Sequence, residues 1–387
     1  METVVYLSVA LGWIFNRKMD NSDHQYASFR KNLPTLILVL SGYLIATFGI
    51  KQISRLDVYR KQSIAIKSTW YLLFSTVFLL ALFGASALKV FAILSIHYIL
   101  IKARPVQSIS APLLSWIFSI SILLLNHFYD GYRFGSISNH LAFLDNVKGV
   151  GIRWNITFNF TVLRMISFAM DRYWYLKDPD VPSRLHLESC TICNESPNMC
   201  KRSRSETSHK VSDYNFFNYM LYCIYAPLYM AGPIVTFNDF LHQMKHTPRS
   251  INLKDSITYT LRWFAIVFLM EVMMHFSYVV AIKDTKAWKG FSPMEIFLVG
   301  FFNLKMIWLK LMIIWRFFRM WAMLDGVETL ENMGRCMSNH YSGVQFWRDW
   351  HTSFNRWLIR FCFLYGNLAK LSLDISTSHL EELKQED

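Results

Sequence analysis

The sequence predicts an all-α fold, a polytopic transmembrane bundle of about eight to nine membrane helices with further helices at the membrane surface. Three observations predict it. The 387 residues are 53% hydrophobic and 16% aromatic, with a mean hydropathy of +0.22, which is too apolar for a soluble chain of this length. Several apolar runs reach the roughly 20 residues that a helix needs to cross a bilayer. The Lys and Arg residues behind the net charge of +13 sit mostly in short loops and at helix ends, where they meet anionic headgroups. The same charge on a soluble protein would raise nucleic acid as a partner. No basic stripe or RNA-type motif accompanies it here, so nucleic acid is not expected.

The elements follow in order. Val4 to Phe15 is a short apolar stretch ahead of Arg17 and Lys18. It lacks the leading positive charge and small-residue site of a cleaved signal, and reads as a retained anchor or an interfacial helix. Leu33 to Ile50 is a span that begins at Pro34. Thr69 to Ile101 would measure about 50 Å as one helix, too long for a single crossing, so a break is expected near Gly84 or Lys89. Ala111 to Tyr129 is the next span. Gly149 to Met170 carries Arg153, Asn155, Asn159 and Arg164 within apolar sequence, and belongs at the interface or against a wet cavity.

Lys177 to Asp213 is polar and Ser-rich, with Pro179, Pro182 and Pro197, and reads as a cytosolic loop. It holds His186, Cys190, Cys193 and Cys200, spaced loosely like a zinc site. A single C-x-x-C is a weak signal, so a solvated loop is preferred and no metal is expected. Asn194 opens a sequon in this loop, and Asn155 and Asn159 open two more inside apolar sequence. Tyr214 to Phe237 is aromatic and broken by Pro227, Gly232 and Pro233, which at membrane depth requires a protein or cavity neighbour. Ile257 to Ile282 is a strong span, and Met294 to Leu324 is another, read as interrupted at Arg316 and Arg319. No internal repeat of the kind found in secondary transporters is visible.

The chemistry concentrates in VQFWRDWHTSFNRW, Val344 to Trp357. Read as one helix, Trp347, Trp350, Phe354, Trp357 and Phe361 form a stripe, with Arg348, His351 and Asn355 beside it. One reading is an interfacial helix with a Trp belt. The other is an active-site helix, in which His351 takes a proton from an attacking hydroxyl and Asn355 orients the acceptor or the oxyanion. A second pair, Glu271 and His275, stands four apart in a strong span. It reads as a satisfied structural pair or as part of a substrate tunnel.

Several segments in order resemble the membrane-bound O-acyltransferases (MBOAT), in the branch of glycerol-uptake-type proteins and hedgehog acyltransferase. They are RWNITFNFTVLRMISFAMD (Arg153 to Asp171), YAPLYMAGPIVTFNDF (Tyr225 to Phe240), MEVMMHFSYVVAI (Met270 to Ile282), WRFFRMWAMLDG (Trp315 to Gly326) and ENMGRCMSNHYSGVQFWRDWHTSFNRWLIR (Glu331 to Arg360). The resemblance implies a multi-pass endoplasmic-reticulum bundle that moves a long-chain acyl group from acyl-CoA to a lipid, sterol or protein. For this branch it implies a lysolipid or glycolipid acceptor, including glycosylphosphatidylinositol lipids. It assigns catalysis to His351 with Asn355. Arg348, Trp347, Trp350, Glu271 and His275 become substrate-binding candidates. Acyl-CoA is a co-substrate, and no cofactor or metal is implied. Arg316, Arg319, Arg348, Arg356 and Arg360 are expected to form a basic mouth for the CoA phosphates.

One departure stands out. The family carries a second histidine in an apolar helix beyond the WRDWH-type motif, reached through a Pro-Leu-Gly-Gly run. Here Arg360 is followed by FCFLYGNLAKLSLDIS, and the later His379 lies in the polar segment STSHLEELKQED. The expectation is one transmembrane domain over residues 1–361 with a divergent tail over 362–387, and a chain truncated relative to the family. Two rival functions remain: an inactive scaffold with a regulatory or binding role, and a glycerol or polyol transporter.

Overall fold

The computed structural model describes residues 9–54, 56, 62–104, 109–151, 153–177, 190, 193, 200–246, 248 and 251–363. In chain order, strands β1 (Val9–Leu11) and β2 (Lys18–Asp20) precede helices α1 (His24–Ile53), α2 (Ser63–Phe83), α3 (Ala87–Lys102) and α4 (Ser110–Phe128). Then come α5 (Trp154–Lys177), α6 (Lys201–Glu206), α7 (Phe216–Ile224), α8 (Phe237–Lys245), α9 (Leu253–Phe276) and α10 (Val279–Asp284). The last are α11 (Pro293–Asp325), α12 (Gly343–Asp349) and α13 (Thr352–Leu358).

Five segments among the described residues are long and apolar enough to cross a membrane: α1, the run Ser63–Lys102, α4, α9 and α11. The other helices of the expected eight or nine are too short or too polar for that criterion. Leu38 and Ile45 on α1 and Phe268 on α9 stay largely exposed, as lipid-facing side chains must. The all-α bundle expected from composition is what forms. Two compact units make it up, each drawn from two stretches of the chain: residues 1–67 with 247–349, and residues 68–246 with 350–387.

In the first unit α11 is the central helix. Ser292 and Glu295 close a capping box at its start, Pro293 fills the first turn, and Gly326 ends it in the left-handed conformation. Arg316 and Arg319 do not interrupt it, contrary to the reading of the sequence. Both guanidiniums reach Glu331, at 3.2 and 3.3 Å, and Arg319 also lies over the Tyr259 ring, so neither charge has to leave the helix to be satisfied. Tyr43 of α1 donates to Asp325 at 2.7 Å, and Trp263 of α9 donates to the Ile313 carbonyl.

The segment Val4 to Phe15 is not a helix over its described part. Val9–Leu11 pairs antiparallel with Lys18–Asp20. Phe15 and Asn16 both take positive φ in the connection, and Arg17 N–H closes it on the Ile14 carbonyl. A hairpin forms because Asp20 accepts from the Val280 and Ala281 amides at 3.1 and 3.0 Å, capping α10.

The second unit is built on α5. The long apolar run breaks where expected, at Gly84, which has φ +57°. The break frees backbone groups that residues 147–151 satisfy: Ala85 donates to the Val147 carbonyl, Val150 to Ala81 and Gly151 to Leu82. A Cβ on Gly84 would sit 2.3 Å from the Val147 oxygen, so that position needs glycine on both grounds. Phe168, Tyr219 and Phe237 meet at the core, with centroids 4.6 and 4.9 Å from Phe168. His97 is buried between Tyr219 and Ser115, 2.8 Å from each hydroxyl.

Candidate active site

The histidine motif is not one helix. α12 ends at Asp349, and α13 begins at Thr352. Between them His351 adopts φ 50° and ψ 51°, left-handed backbone that costs an L-residue about 1 kcal/mol or more. The face arithmetic that grouped Arg348 with His351 and Asn355 therefore fails at the break. His351 instead opens α13, its carbonyl accepting from the Phe354 and Asn355 amides at 2.9 and 3.1 Å. His351 and Asn355 remain one turn apart.

The second unit fixes α13 at several points. Ser353 is buried and its Oγ accepts from the Ile234 amide at 2.9 Å. Trp357 donates its indole N–H to the Leu163 carbonyl at 3.1 Å. Beyond a π-helical turn at Ile359–Phe363, Arg360 donates to Asp171 at 2.9 Å and lies over the Trp174 ring. The anchors are thus α5 and the Pro-Gly-broken segment before α8. His351 stacks nearly parallel on Phe160, with centroids 6.3 Å apart. Burial there pushes its imidazole pKa down to about 4. The ring is neutral at physiological pH, the form that accepts a proton.

Two residues behind this arrangement drew no role from the sequence. Arg164 on α5 is buried and donates to the carbonyls of Tyr222, Cys223 and Leu228. Those carbonyls belong to the end of α7 and the proline break, where the helix leaves acceptors without partners. Asp171, also on α5, holds Arg360 on one oxygen and the Asn238 amide on the other. Burial raises its carboxyl above the ordinary range, and Arg360 opposes that rise. The signal was available in part, since both are charged residues in apolar sequence.

The remaining candidates divide. Trp347 and Arg348 lie exposed on α12, and Trp350 is half-buried beyond its end. Glu271 and His275 come together in the first unit, but on the hairpin. Arg30 holds both oxygens of Glu271, at 2.5 and 2.9 Å, and the Trp13 indole donates to it as well. His275 lies 2.7 Å from the Glu271 carbonyl through Nδ1 and accepts the Trp13 amide on Nε2. These contacts satisfy the pair within the chain. Of the five arginines expected at a basic mouth, Arg316, Arg319 and Arg360 are committed to carboxylates, while Arg348 and Arg356 stay exposed. A cleft of about 490 Å³ near Tyr129, Arg133 and Asp145 includes none of the candidates. His379 and His186 lie outside the described residues.

The fold and site define a multi-pass helical membrane protein with a half-buried, neutral histidine on a kinked segment. The chain belongs to the MBOAT, membrane-bound O-acyltransferase family, whose family model matches residues 140–372. It is 40% identical over 363 residues to membrane-bound O-acyltransferase GUP1 of Saccharomyces cerevisiae, covering 91% of this chain and 61% of that protein. It is 39% identical over 353 residues to gup1 of Schizosaccharomyces pombe, with 91% and 60% covered. GUP2 of Saccharomyces cerevisiae is 36% identical over 373 residues, with 92% and 60% covered. The chain spans about three fifths of the length of these relatives.

Proposed function

We propose that this chain is an O-acyltransferase that moves a long-chain acyl group from acyl-CoA to the hydroxyl of a lipid acceptor, a lysolipid or glycolipid, in the endoplasmic-reticulum membrane. The observation that carries the proposal is His351: a half-buried, neutral imidazole inside the matched family region, on a helix held by α5. The acceptor oxygen attacks the thioester carbonyl while His351 takes its proton. Asn355, one turn along, steadies the acceptor or the oxyanion. The carbonyl re-forms as the sulfur of CoA leaves, and that sulfur takes up the proton. Exposed Arg348 offers a guanidinium suited to the CoA phosphates, and Trp347 and Trp350 are kept as substrate-binding candidates. A neutral base suits this step, because no charge has to be buried before the reaction.

The test is acyl transfer from labelled long-chain acyl-CoA to lysolipids, in microsomes containing this chain or its His351→Ala variant at matched abundance. The expected result is transfer by the wild type and a loss of about 100- to 10,000-fold in the variant. Equal transfer by both would remove His351 from the chemistry. No transfer by wild type that is present in the membrane would overturn the assignment of activity to this chain.

A further inference from the structure

The loop between α5 and α7 carries three thiols that the acyl transfer does not use. Cys190, Cys193 and Cys200 place their sulfurs within 4.8 Å of one another, with Cys193 buried and the other two half-buried. The sequence between them is mostly polar, and Cys193 is completely buried. We propose that these three cysteines form a structural zinc site.

The geometry supports a metal over a simple pair. Tetrahedral zinc with bonds of about 2.3 Å holds its thiolate sulfurs about 3.8 Å apart, so a small contraction brings the trio into ligation. A disulfide would use two of the three sulfurs and leave the third without a role. The Ser203 amide donates to the Cys200 sulfur at 3.3 Å, the kind of N–H contact that steadies a metal-bound thiolate. Lys201 follows directly and offsets the excess negative charge of three thiolates on one divalent ion. Ligation displaces up to one proton from each thiol, three in all, so binding weakens as pH falls. Water would complete the tetrahedron.

The site has a mechanical use. α6 begins immediately after Cys200, and its Arg204 pairs with Asp239 of α8 at 2.8 Å, both side chains only 4% exposed. Gln243 donates to the same Asp239 oxygen. A metal at the three cysteines therefore fixes the loop to α8. α8 in turn follows the segment whose Ile234 amide holds Ser353 of α13. Zinc stabilises the support of the His351 helix without touching substrate.

The experiment is metal analysis of the full 387-residue chain, purified in detergent under reducing conditions. About one zinc per chain is expected, lost on Cys190→Ser, Cys193→Ser or Cys200→Ser and retained on Cys336→Ser. In the wild type, the three thiols should resist alkylation until a zinc chelator is added, a readout that does not depend on any variant folding. Cobalt loaded in place of zinc should show thiolate-to-metal charge transfer. A metal-free wild type, a different metal at that stoichiometry, zinc retained by Cys193→Ser, or a disulfide between two of the three cysteines would each overturn the proposal.

Discussion

Arg360 and Asp171 form an ion pair at 2.9 Å in which the carboxylate is fully buried and the guanidinium nearly so. The pair joins the end of the histidine segment to α5. Replacing Arg360 with Met leaves an unpaired buried carboxylate, and the expected cost is about 3 kcal/mol. Thermal unfolding in detergent should show it. Adding Asp171→Asn to the same chain should recover most of the loss, because the stranded charge goes with it.

His351 gives a second prediction through its backbone. Glycine tolerates φ 50° where alanine does not, so His351→Gly should be more stable than His351→Ala by about 1 kcal/mol. Neither variant should transfer acyl groups. Comparing their melting temperatures and activities separates the strain of the residue from its chemistry.

The same residue sets a pH dependence. Its pKa is about 4 in the fold, lowered by burial. An unfolded imidazole titrates near 6.5, so in the window between the two values the unfolded chain binds more protons. Stability is then complete above about pH 6.5 and falls as pH drops through about 4, by up to about 3 kcal/mol. Denaturation at stepped pH should show this slope, and His351→Gln should remove that share of it. By the same logic, the acid limb of activity should fall nearer pH 4 than pH 6.5.

Gly12 carries a prediction for the other unit. An added Cβ would meet His275 Nε2 at 2.4 Å and the Arg17 carbonyl at 2.5 Å. Gly12→Ala should therefore displace the hairpin at a cost of about 1–3 kcal/mol. Limited proteolysis within Gly12–Lys18 should quicken, while Gly42→Ala, with open space around it, should leave the rate unchanged.

Arg164 supplies the last prediction. Its fork reaches three carbonyls, a geometry that an ammonium cannot copy. Arg164→Lys should cost about 1–3 kcal/mol in thermal unfolding, as carbonyls at the proline break lose donors.

The membrane-crossing helices were legible because lipid demands long apolar runs, and composition alone reports those. The break at Gly84 was legible for a related reason: 40 residues exceed one crossing, and glycine is where a chain bends. The hairpin was not. Val9–Leu11 and Lys18–Asp20 are short, and their turn uses Phe15 and Asn16 at positive φ rather than an Asn-Gly signature. The kink at His351 was equally hidden, since neither glycine nor proline marks it and tertiary packing of Ser353 and Trp357 imposes it. For Glu271 and His275, spacing brought the pair together on paper. Only the fold revealed that Trp13 and Arg30, more than 240 residues earlier, were their partners.

That separation has a consequence for how the protein is made. Trp13 and His275 are 262 positions apart, and the first unit takes its parts from residues 1–67 and 247–349, with residues 68–246 of the second unit between them in sequence. At a synthesis rate of about 5–20 residues per second, the hairpin emerges roughly 10–50 s before the surface it clasps exists. During that interval Arg30 lacks its Glu271 partner, and α1 enters the membrane carrying a cation that is paired only once α9 has been made. The first unit can close only after residues 68–246 have been synthesised. Stop codons placed between Asn252 and Phe276 should therefore leave the hairpin without its Glu271 and His275 partners, read as quickened proteolysis within Gly12–Lys18.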